Sequence, residues 1–283
     1  MGVAIVSDTC HYLPRELVAE QEIHEVSLYI HLDDQARRES EITDYDAYYA
    51  RLGAMAALPT TSQPSIGDFL AVYERLLDAG HDVVSIHLAG GMSGTVRSAQ
   101  QARDQLGPRA ARVRVLDSET ACGGQGFVLL AAAASARTGA DAAEVSQHAR
   151  AARAALKMWF AVDTLEYLRR GGRIAGAQAW LGTALRIKPI LTVESEITPI
   201  DRVRTSRRAF ERLVELLRTR QQDGADAWMI QHIQAPREAA QLAERGREIF
   251  GCDPVAVSEV GPVIGTHVGP GLLGAGGVPS SLL

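Results

Sequence analysis

A strand–turn–helix pattern in the middle of the chain most constrains its fold. Residues 83–88 form an apolar, partly β-branched run typical of a buried parallel strand. Gly90-Gly91 follows, and residues 99–106 have the composition of a helix that ends at Gly107-Pro108. Glycines at a strand end allow a sharp turn and a close approach of the backbone to a ligand. The pattern predicts an α/β sheet with a ligand site at this strand's carboxyl end.

Hydroxyl groups in this turn are suited to an anion. Ser93 and Thr95 flank Gly94, and either hydroxyl can cap the following helix. The first-turn amides and the helix dipole then favour a carboxylate or a phosphate above the strand end. A Gly-Gly turn followed by a serine cap is also ordinary chemistry for a helix start, so both interpretations stay open for this stretch alone.

Strand and helix patterns alternate along the whole chain. We predict an α/β fold of two domains with mostly parallel sheets flanked by helices and with the ligand at the interface. The first domain is expected to cover residues 1–155 and the second residues 156–283, because the pattern restarts at a predicted strand, residues 159–162.

Several local predictions bear on the site. Residues 23–31 are predicted as one strand, residues 58–65 as a loop between two prolines, and residues 177–185 as a helix. A hairpin is predicted within residues 188–200, and the Gly- and Pro-rich tail, residues 274–283, is expected to be loose. Two alanine-rich helices, within residues 127–156, are expected to leave room for a ligand.

Composition argues against several classes of protein. A formal net charge of −5 argues against general nucleic-acid binding. No apolar run reaches the ~18 residues of a membrane span, and the first residues lack the basic start of a secretory signal. Cys10, Cys122 and Cys252 are widely separated, and neither an HExxH nor a CxxC pair is present. We therefore expect a cytoplasmic protein with neither disulfides nor a metal site.

Three hydroxyl-bearing stretches lie where predicted strands meet turns. They are residues 60–62, 93–95 and 265–267. Together they could hold one carboxylate or phosphate, with His267 as a charged donor or a proton carrier. A purely structural His267 is the alternative. Ser93 lacks the G-x-S-x-G spacing of a hydrolase nucleophile, and no Walker loop is present.

Positive charge is concentrated between residues 169 and 208. This stretch carries three acidic residues and the following nine basic ones: Arg169, Arg170, Arg173, Arg186, Lys188, Arg202, Arg204, Arg207 and Arg208. It is either a solvated basic face or a docking surface for an acidic partner or for phosphates.

These stretches also occur together in the order and spacing of a known family. The shared motifs are SDT at 7–9, TTSQPS at 60–65, MSGTVRSA at 92–99, DS at 117–118, DTLEYL at 163–168, GGRI at 171–174, IKPIL at 187–191 and GTHVGPG at 265–271. The set resembles the DegV family, which includes the bacterial fatty-acid-binding proteins called FakB, over almost the whole chain. Cys10-His11 departs from the family pattern and places two reactive side chains beside the first motif.

The resemblance implies a binding protein rather than an enzyme. One long-chain fatty acid is its ligand and no cofactor is implied. The carboxylate would lie at the domain interface and the acyl chain in an apolar tunnel. A separate ATP-dependent fatty acid kinase would convert the bound fatty acid to acyl phosphate for phospholipid synthesis. Transient contact with a membrane is compatible with this role.

The resemblance also assigns residues to these roles. Thr61, Ser93 and His267 match the residues that hold the carboxylate, and Arg173 and Arg204 match basic positions associated with kinase docking. With the neighbouring polar groups, the expected ligand-binding set is Thr61, Ser62, Ser93, Gly94, Thr95, Thr266 and His267.

Two other functions stay open. One is a stand-alone hydrolase or phosphotransferase that acts on a lipid carboxylate or ester, with Ser93 as nucleophile and His267 as base. The other is an interaction or regulatory protein that uses lipid only as part of its core.

Overall fold

A computed structural model of the chain describes residues 2–33, 35–180 and 187–283. The strands in these ranges are β1 Val3–Asp8, β2 His24–Val26, β3 Tyr29–Leu32, β4 Gln35–Arg38, β5 Thr60–Ser62, β6 Asp82–His87, β7 Val113–Asp117, β8 Lys157–Ala161, β9 Lys188–Glu194, β10 Glu196–Val203, β11 Ala227–His232, β12 Ala256–Glu259 and β13 Leu273–Val278. The helices are α1 Arg15–Glu20, α2 Tyr45–Ala54, α3 Ile66–Asp78, α4 Thr95–Gln105, α5 Gly123–Arg137, α6 Ala142–Ala155, α7 Glu166–Arg170, α8 Ser206–Gln222, α9 Pro236–Phe250 and α10 Pro262–Val268.

A four-stranded parallel sheet organises the first part of the chain. Its order is β2-β1-β6-β7, and β6 pairs with β1 and β7. Val83 packs into a cluster with α3 and α4, whereas Val84 and Ile86 pack into a cluster with α5 and α6. The alternating direction of successive side chains explains this arrangement. The predicted buried parallel strand is confirmed.

A six-stranded sheet of order β10-β9-β8-β13-β11-β12 organises the second part. The α/β class predicted from the sequence is confirmed, but the expectation of mostly parallel pairing holds for the first sheet alone. Here β11 and β12 pair in parallel, whereas the other neighbouring strands pair antiparallel. For β9 and β10 the antiparallel pairing has a local cause. The two strands form the predicted hairpin, which turns at Ser195 with a φ of 63°.

The expectation that residues 274–283 are loose is wrong. Residues up to Val278 form β13, which is buried and lies between β8 and β11. Its glycines are required by close packing, because a Cβ atom at Gly277 would lie 2.5 Å from the carbonyl oxygen of Ala227.

A third, three-stranded antiparallel sheet of order β4-β3-β5 was not predicted. The single strand expected at residues 23–31 is divided between β2 in the first sheet and β3 in this one. The expected loop at residues 58–65 contains β5, in which Thr61 pairs with Ile30 of β3. Strands of three or four residues carry too little periodicity to be recognised from sequence.

The predicted boundary at residue 155 falls between the two larger sheets. Strands of the four-stranded sheet precede α6, and the described strands of the six-stranded sheet begin with β8. The division into two domains stays a prediction. Of the helix expected at residues 177–185, the structure describes 177–180, which lie in the short 3₁₀ segment Ala175–Trp180; the remainder lies outside the described residues.

Candidate functional site

A polar pocket lies where the turn after β6, the β5 strand and α10 meet. It spans about 540 Å³, which includes space open to solvent, and its polar side chains are Thr61, Ser62, Gln63, Ser93, Arg173 and His267. We call it the head pocket. Gly94 also lines it, as do apolar residues that include Met92 and Ile264. The fold therefore brings together groups from four distant stretches of the sequence, since Arg173 comes from the turn after α7.

Thr61 and His267 form a hydrogen bond in this pocket. Thr61 Oγ1 lies 2.7 Å from His267 Nε2. Burial lowers the pKa of His267 to about 4, and the positive charge of Arg173 acts in the same direction. The imidazole is therefore neutral at pH 7, which corrects the expectation of a charged donor. Its Nδ1 lies against the backbone of Gly171 and has no partner of good hydrogen-bond geometry in the described part of the chain.

Ser93 and Thr95 form a pair at the start of α4. Ser93 Oγ lies 2.8 Å from Thr95 Oγ1 and accepts a bond from the Thr95 amide at 3.3 Å. The N-cap residue is Gly94, so neither hydroxyl occupies the predicted capping position. Thr95 is fully buried and does not line the head pocket, whereas Ser93 is half-buried and does.

The glycines of this turn are required by close neighbours. A Cβ atom at Gly94 would lie 2.7 Å from Gln63 Nε2, so Gln63 can close over the turn. A Cβ atom at Gly91 would lie 2.5 Å from the carbonyl oxygen of Ser195, where the β9–β10 hairpin turns. Neither Gly90 nor Gly91 has a positive φ. Gly91 therefore allows the two larger sheets to approach each other, and neither it nor Gly90 supplies an unusual turn conformation.

Thr266 lies outside the head pocket. Its hydroxyl is 2.5 Å from the Tyr48 hydroxyl and donates a bond of 2.8 Å to the carbonyl oxygen of Pro262. It anchors α10 to α2 and has no exposed face, so its predicted contact with ligand stays a prediction.

Arg173 lines the head pocket, whereas Arg204 is exposed beyond the end of β10. Arg173 lies on the turn after α7, and its side chain is half-buried rather than fully exposed. Arg173 Nη1 donates to the carbonyl oxygen of Gly171 at 2.8 Å, and Nε to that of Met92 at 3.5 Å. Of the basic stretch identified above, Arg186 lies outside the described residues.

A second, apolar cavity adjoins the head pocket. It spans about 540 Å³ by the same measure, and four residues line both spaces: Met92, Ile197, Ile264 and Val268. Its other walls are mainly apolar side chains that precede α5 or lie on β8 and β9, including Ala121, Cys122, Met158, Trp159, Phe160 and Val193. The alanine-rich helices do not line it; α5 packs into the core instead. The apolar run at residues 158–160 was the sequence feature that could have indicated this cavity.

The polar atoms of Gln231, another residue of this cavity, are already engaged. Its Nε2 donates to the carbonyl oxygen of His11 at 3.0 Å and to that of Tyr12 at 3.2 Å. Its Oε1 accepts a bond from the Gly123 amide. The cavity therefore presents an apolar surface despite this amide.

Cys10 and His11, the departure from the family pattern, are buried rather than reactive. Burial raises the pKa of the Cys10 thiol well above its ordinary value. His11 Nδ1 accepts from the Leu13 amide at 3.0 Å, and its Nε2 lies 3.0 Å from Glu25 Oε1. Both side chains stabilise the segment that follows β1.

The described ranges contain neither a candidate metal site nor a candidate membrane-spanning helix. Residues 2–33, 35–180 and 187–283 contain no group of three His, Cys, Asp or Glu side chains that could hold a metal ion. Within the same ranges, no helix has the length and apolar character needed to cross a membrane.

Comparison with known proteins identifies the family. Residues 2–280 match the family described as "Uncharacterised protein, DegV family". The chain belongs to the DegV family. It is 35% identical to protein DegV of Bacillus subtilis over 97% of this chain and 98% of that protein. It is 39% identical to a DegV domain-containing protein of Streptomyces coelicolor, with 96% of each chain covered.

Solved DegV structures share the fold. A DegV family protein from Thermus thermophilus, described as binding fatty acid, is 33% identical and superposes with a TM-score of 0.89 over 99% of this chain and 100% of its own. DegV of B. subtilis, described as a fatty acid binding protein, is 34% identical and gives a TM-score of 0.87 over 98% of each chain. These DegV homologues bind fatty acids.

Proposed function

We propose that this protein binds one long-chain fatty acid, with the carboxylate in the head pocket and the acyl chain in the apolar cavity. The observation that carries the proposal is the shared wall: four residues, Met92, Ile197, Ile264 and Val268, line both spaces. A polar compartment continuous with an apolar one matches a ligand that has one charged end.

The acyl chain supplies most of the binding free energy. Burying ~15 methylenes at ~0.8 kcal/mol each contributes roughly 12 kcal/mol before the costs of ordering. The head pocket then needs only enough polar contacts to orient the carboxylate.

The head pocket supplies those contacts without a metal. Arg173 contributes the positive charge, and Ser93 and Thr61 contribute hydroxyl donors. Neutral His267 donates from Nε2 to Thr61 Oγ1 in this scheme, which leaves the Thr61 hydroxyl proton free for the carboxylate. The histidine thus orients a donor instead of carrying charge.

Lipid analysis tests this proposal directly. Organic extracts of the purified protein should contain a fatty acid at near-stoichiometric amounts by mass spectrometry, and adding fatty acid to delipidated protein should raise its melting temperature. Protein that holds no lipid and does not respond to added fatty acid would contradict it.

We further propose that the bound fatty acid is presented to an ATP-dependent fatty acid kinase, which forms acyl phosphate for phospholipid synthesis. The sequence has no Walker loop, so a partner would supply the nucleotide. Arg204, Arg207 and Arg208 are exposed and form no ion pair with the described residues. We call these three residues the basic surface. Unpaired exposed charges suit the docking of an acidic partner.

A titration of the kinase at two salt concentrations tests this step. Arg204→Glu should weaken kinase binding by about tenfold at low salt and less at high salt, because salt screens exposed charges. Arg218→Glu makes the same charge change at another exposed position and should have little effect. Equal affinities for the wild type and both variants, without salt dependence, would show that the basic surface is only solvated.

The geometry does not favour a stand-alone Ser/His enzyme. The partner of His267 Nε2 is Thr61, and the partner of Ser93 Oγ is Thr95. No described hydrogen bond joins Ser93 to His267, so the imidazole is not placed to activate that hydroxyl.

A second serine has the hydrogen-bond order of a catalytic triad but lies in the core. Ser85 Oγ is 2.7 Å from His87 Nε2, and His87 Nδ1 is 3.1 Å from Asp8 Oδ2. All three side chains are fully buried, and the Tyr73 hydroxyl donates to Ser85. This network joins β1 to β6 and is closed to substrate.

A further inference from the structure

Glu39 is a buried carboxylate outside the head pocket. It lies in the short 3₁₀ turn Glu39–Glu41 that follows β4, and it is 2% exposed. A carboxylate at this depth requires hydrogen-bond partners. Thr9 Oγ1 donates to Oε2 at 2.5 Å, and the Tyr12 hydroxyl donates to Oε1 at 2.8 Å.

A third partner connects Glu39 to α10. The backbone amide of Val263 donates to Glu39 Oε1 at 2.7 Å, and the amide of Ile264 donates to the Tyr12 hydroxyl at 3.2 Å. Pro262, which precedes them, has no amide hydrogen to satisfy. The free amide donors at the start of α10 are thus bound by side chains from a distant part of the sequence.

The other end of α10 forms part of the head pocket. His267, in its last turn, contacts Thr61, and Ile264 and Val268 line the wall shared with the apolar cavity. The helix has seven residues, so its two ends move together. A group that fixes the first turn also fixes the place of the imidazole.

We infer that Glu39 is a positioning residue for the head pocket, which holds the first turn of α10 and thereby sets the distance between His267 and Thr61. This inference rests on the proposed function of that pocket. The close fit agrees with it, since a Cβ atom at Gly261 would lie 3.0 Å from Glu39 Oε1 and 2.8 Å from the Tyr45 hydroxyl.

A buried carboxylate at Glu39 costs desolvation free energy that a purely structural role does not require. Burial raises the pKa of Glu39 to about 7, so ionisation of this side chain is disfavoured in the folded protein. A neutral side chain could fill the same space at lower cost. The charged group is, however, the stronger partner for the amides of a helix start.

Binding of two chain-matched lipids separates positioning from general stability. Hexadecanoic acid and 1-hexadecanol share the acyl chain but differ in the head. Glu39→Gln should lower the preference for the acid by about tenfold, the scale known for groups that orient metal-binding histidines, and leave the affinity for the alcohol within about twofold. Glu41→Gln is the matched control, because this exposed residue lies in the same turn.

A double-variant cycle identifies the route of the effect. In the His267→Gln background, Glu39→Gln should add little to the loss of acid preference, since the two residues act in series. Tyr12→Phe removes two hydrogen bonds of the same network, to Glu39 and from the Ile264 amide, but keeps the bond between Glu39 and Val263, and it should give a smaller loss in the same direction. It also provides the test if Glu39→Gln does not fold.

Failure of the inference and failure of the proposed function are distinguishable. Equal losses for acid and alcohol in both Glu39→Gln and Tyr12→Phe, or full additivity with His267→Gln, would overturn the positioning role. Wild-type protein that binds neither lipid, or shows no preference for the acid, would overturn the proposed function and this inference with it.

Discussion

The head pocket and the apolar cavity share a wall but are built differently. The head pocket collects polar groups from the β5 strand, the turn before α4, the turn after α7 and α10, whereas seven of the fifteen residues that line the apolar cavity lie on strands of the six-stranded sheet. A pocket assembled from distant segments depends on how those segments are held. The part of the cavity that lies on one sheet is held by the pairing of its strands, so it depends mainly on its own side chains.

This difference separates affinity from orientation. Under the proposed function, the apolar cavity supplies the larger free energy of binding, because each buried methylene contributes about 0.8 kcal/mol. The head pocket, in the same proposal, fixes which end of the ligand is presented and in which geometry. Variants of the two spaces should therefore fail in different ways.

The largest effect should follow from filling the apolar cavity. Val193→Trp places an indole in this space and should displace about five methylenes, which costs about 4 kcal/mol of fatty acid binding. Val257→Trp, at an exposed position on β12, is the control and should bind normally. Isothermal titration with fatty acids of increasing length measures the loss. Unchanged affinity for a C16 chain would mean that the acyl chain lies elsewhere.

The next effect is a pH dependence of stability near the head pocket. Burial lowers the pKa of His267 from 6.5 to about 4, so the folded state excludes its proton and stability is lost as the pH falls through this range. Burial raises the pKa of Glu39 from 4.5 to about 7, so the folded state takes up a proton and stability is gained as the pH falls from about 7 to 4.5. Each difference corresponds to about 3 kcal/mol.

These two opposing contributions should nearly cancel between pH 6.5 and 4.5 in the wild type. Glu39→Gln should then expose the loss of stability on acidification, and His267→Gln should expose the gain. Urea unfolding across this range measures both slopes. The titratable groups that interact with Glu39, and whose own ionisation must be considered, are Asp8, Cys10, Tyr12, Cys122, Tyr45, Tyr48 and Tyr49. Parallel slopes in the two variants would contradict this assignment.

A smaller effect is expected for Ser93→Ala. Losing one hydrogen bond to a charged group should cost about 2 kcal/mol of fatty acid binding and leave binding of the matching alcohol little changed. Phosphorylation by a partner kinase should fall more than lipid retention, because the remaining chain contacts keep the ligand bound. Ser281→Ala, at an exposed position, is the control. Wild-type turnover in the variant would remove Ser93 from the site.

The smallest effect on the ligand is expected for Arg204→Gln. This exposed side chain forms no ion pair in the described ranges, so fatty acid affinity and melting temperature should both stay at the wild-type values. Arg173→Gln should weaken fatty acid binding, since its guanidinium lines the head pocket. Equal effects of the two variants in a binding titration would contradict this separation.

Local signals in the sequence predicted much of the fold. The apolar run of β6 depends on neighbouring residues alone, and the structure contains this strand. The third sheet was missed because β5 is stabilised by pairing with β3, about 30 residues away, rather than by its own periodicity. The glycines of β13 led to the wrong prediction of a loose tail. They are needed because neighbouring strands approach closely, and no local sequence pattern shows that approach.

The candidate site, like the fold, was predictable where its signal lies in neighbouring residues. Hydroxyl groups at predicted strand ends indicated Thr61 and Ser93, and the structure brings both into one pocket with His267. The burial of Arg173 and the reduced pKa of His267 depend on what surrounds them in space. Glu39 carries no sequence motif, since its partners are the Thr9 and Tyr12 side chains, 30 and 27 residues away, and the Val263 amide, 224 residues away.

The central place of β13 has a consequence for synthesis. This strand joins β8 to β11, yet it is the last strand of its sheet to leave the ribosome. The four-stranded sheet can form before β13 is synthesised, whereas β8 then lacks β13, its neighbour on one side. Until Leu273–Val278 emerges, the nascent chain exposes apolar strand surface, and the apolar cavity lacks the residues at the start of β13 that line it. Under the proposed function, loading with fatty acid therefore follows the emergence of β13.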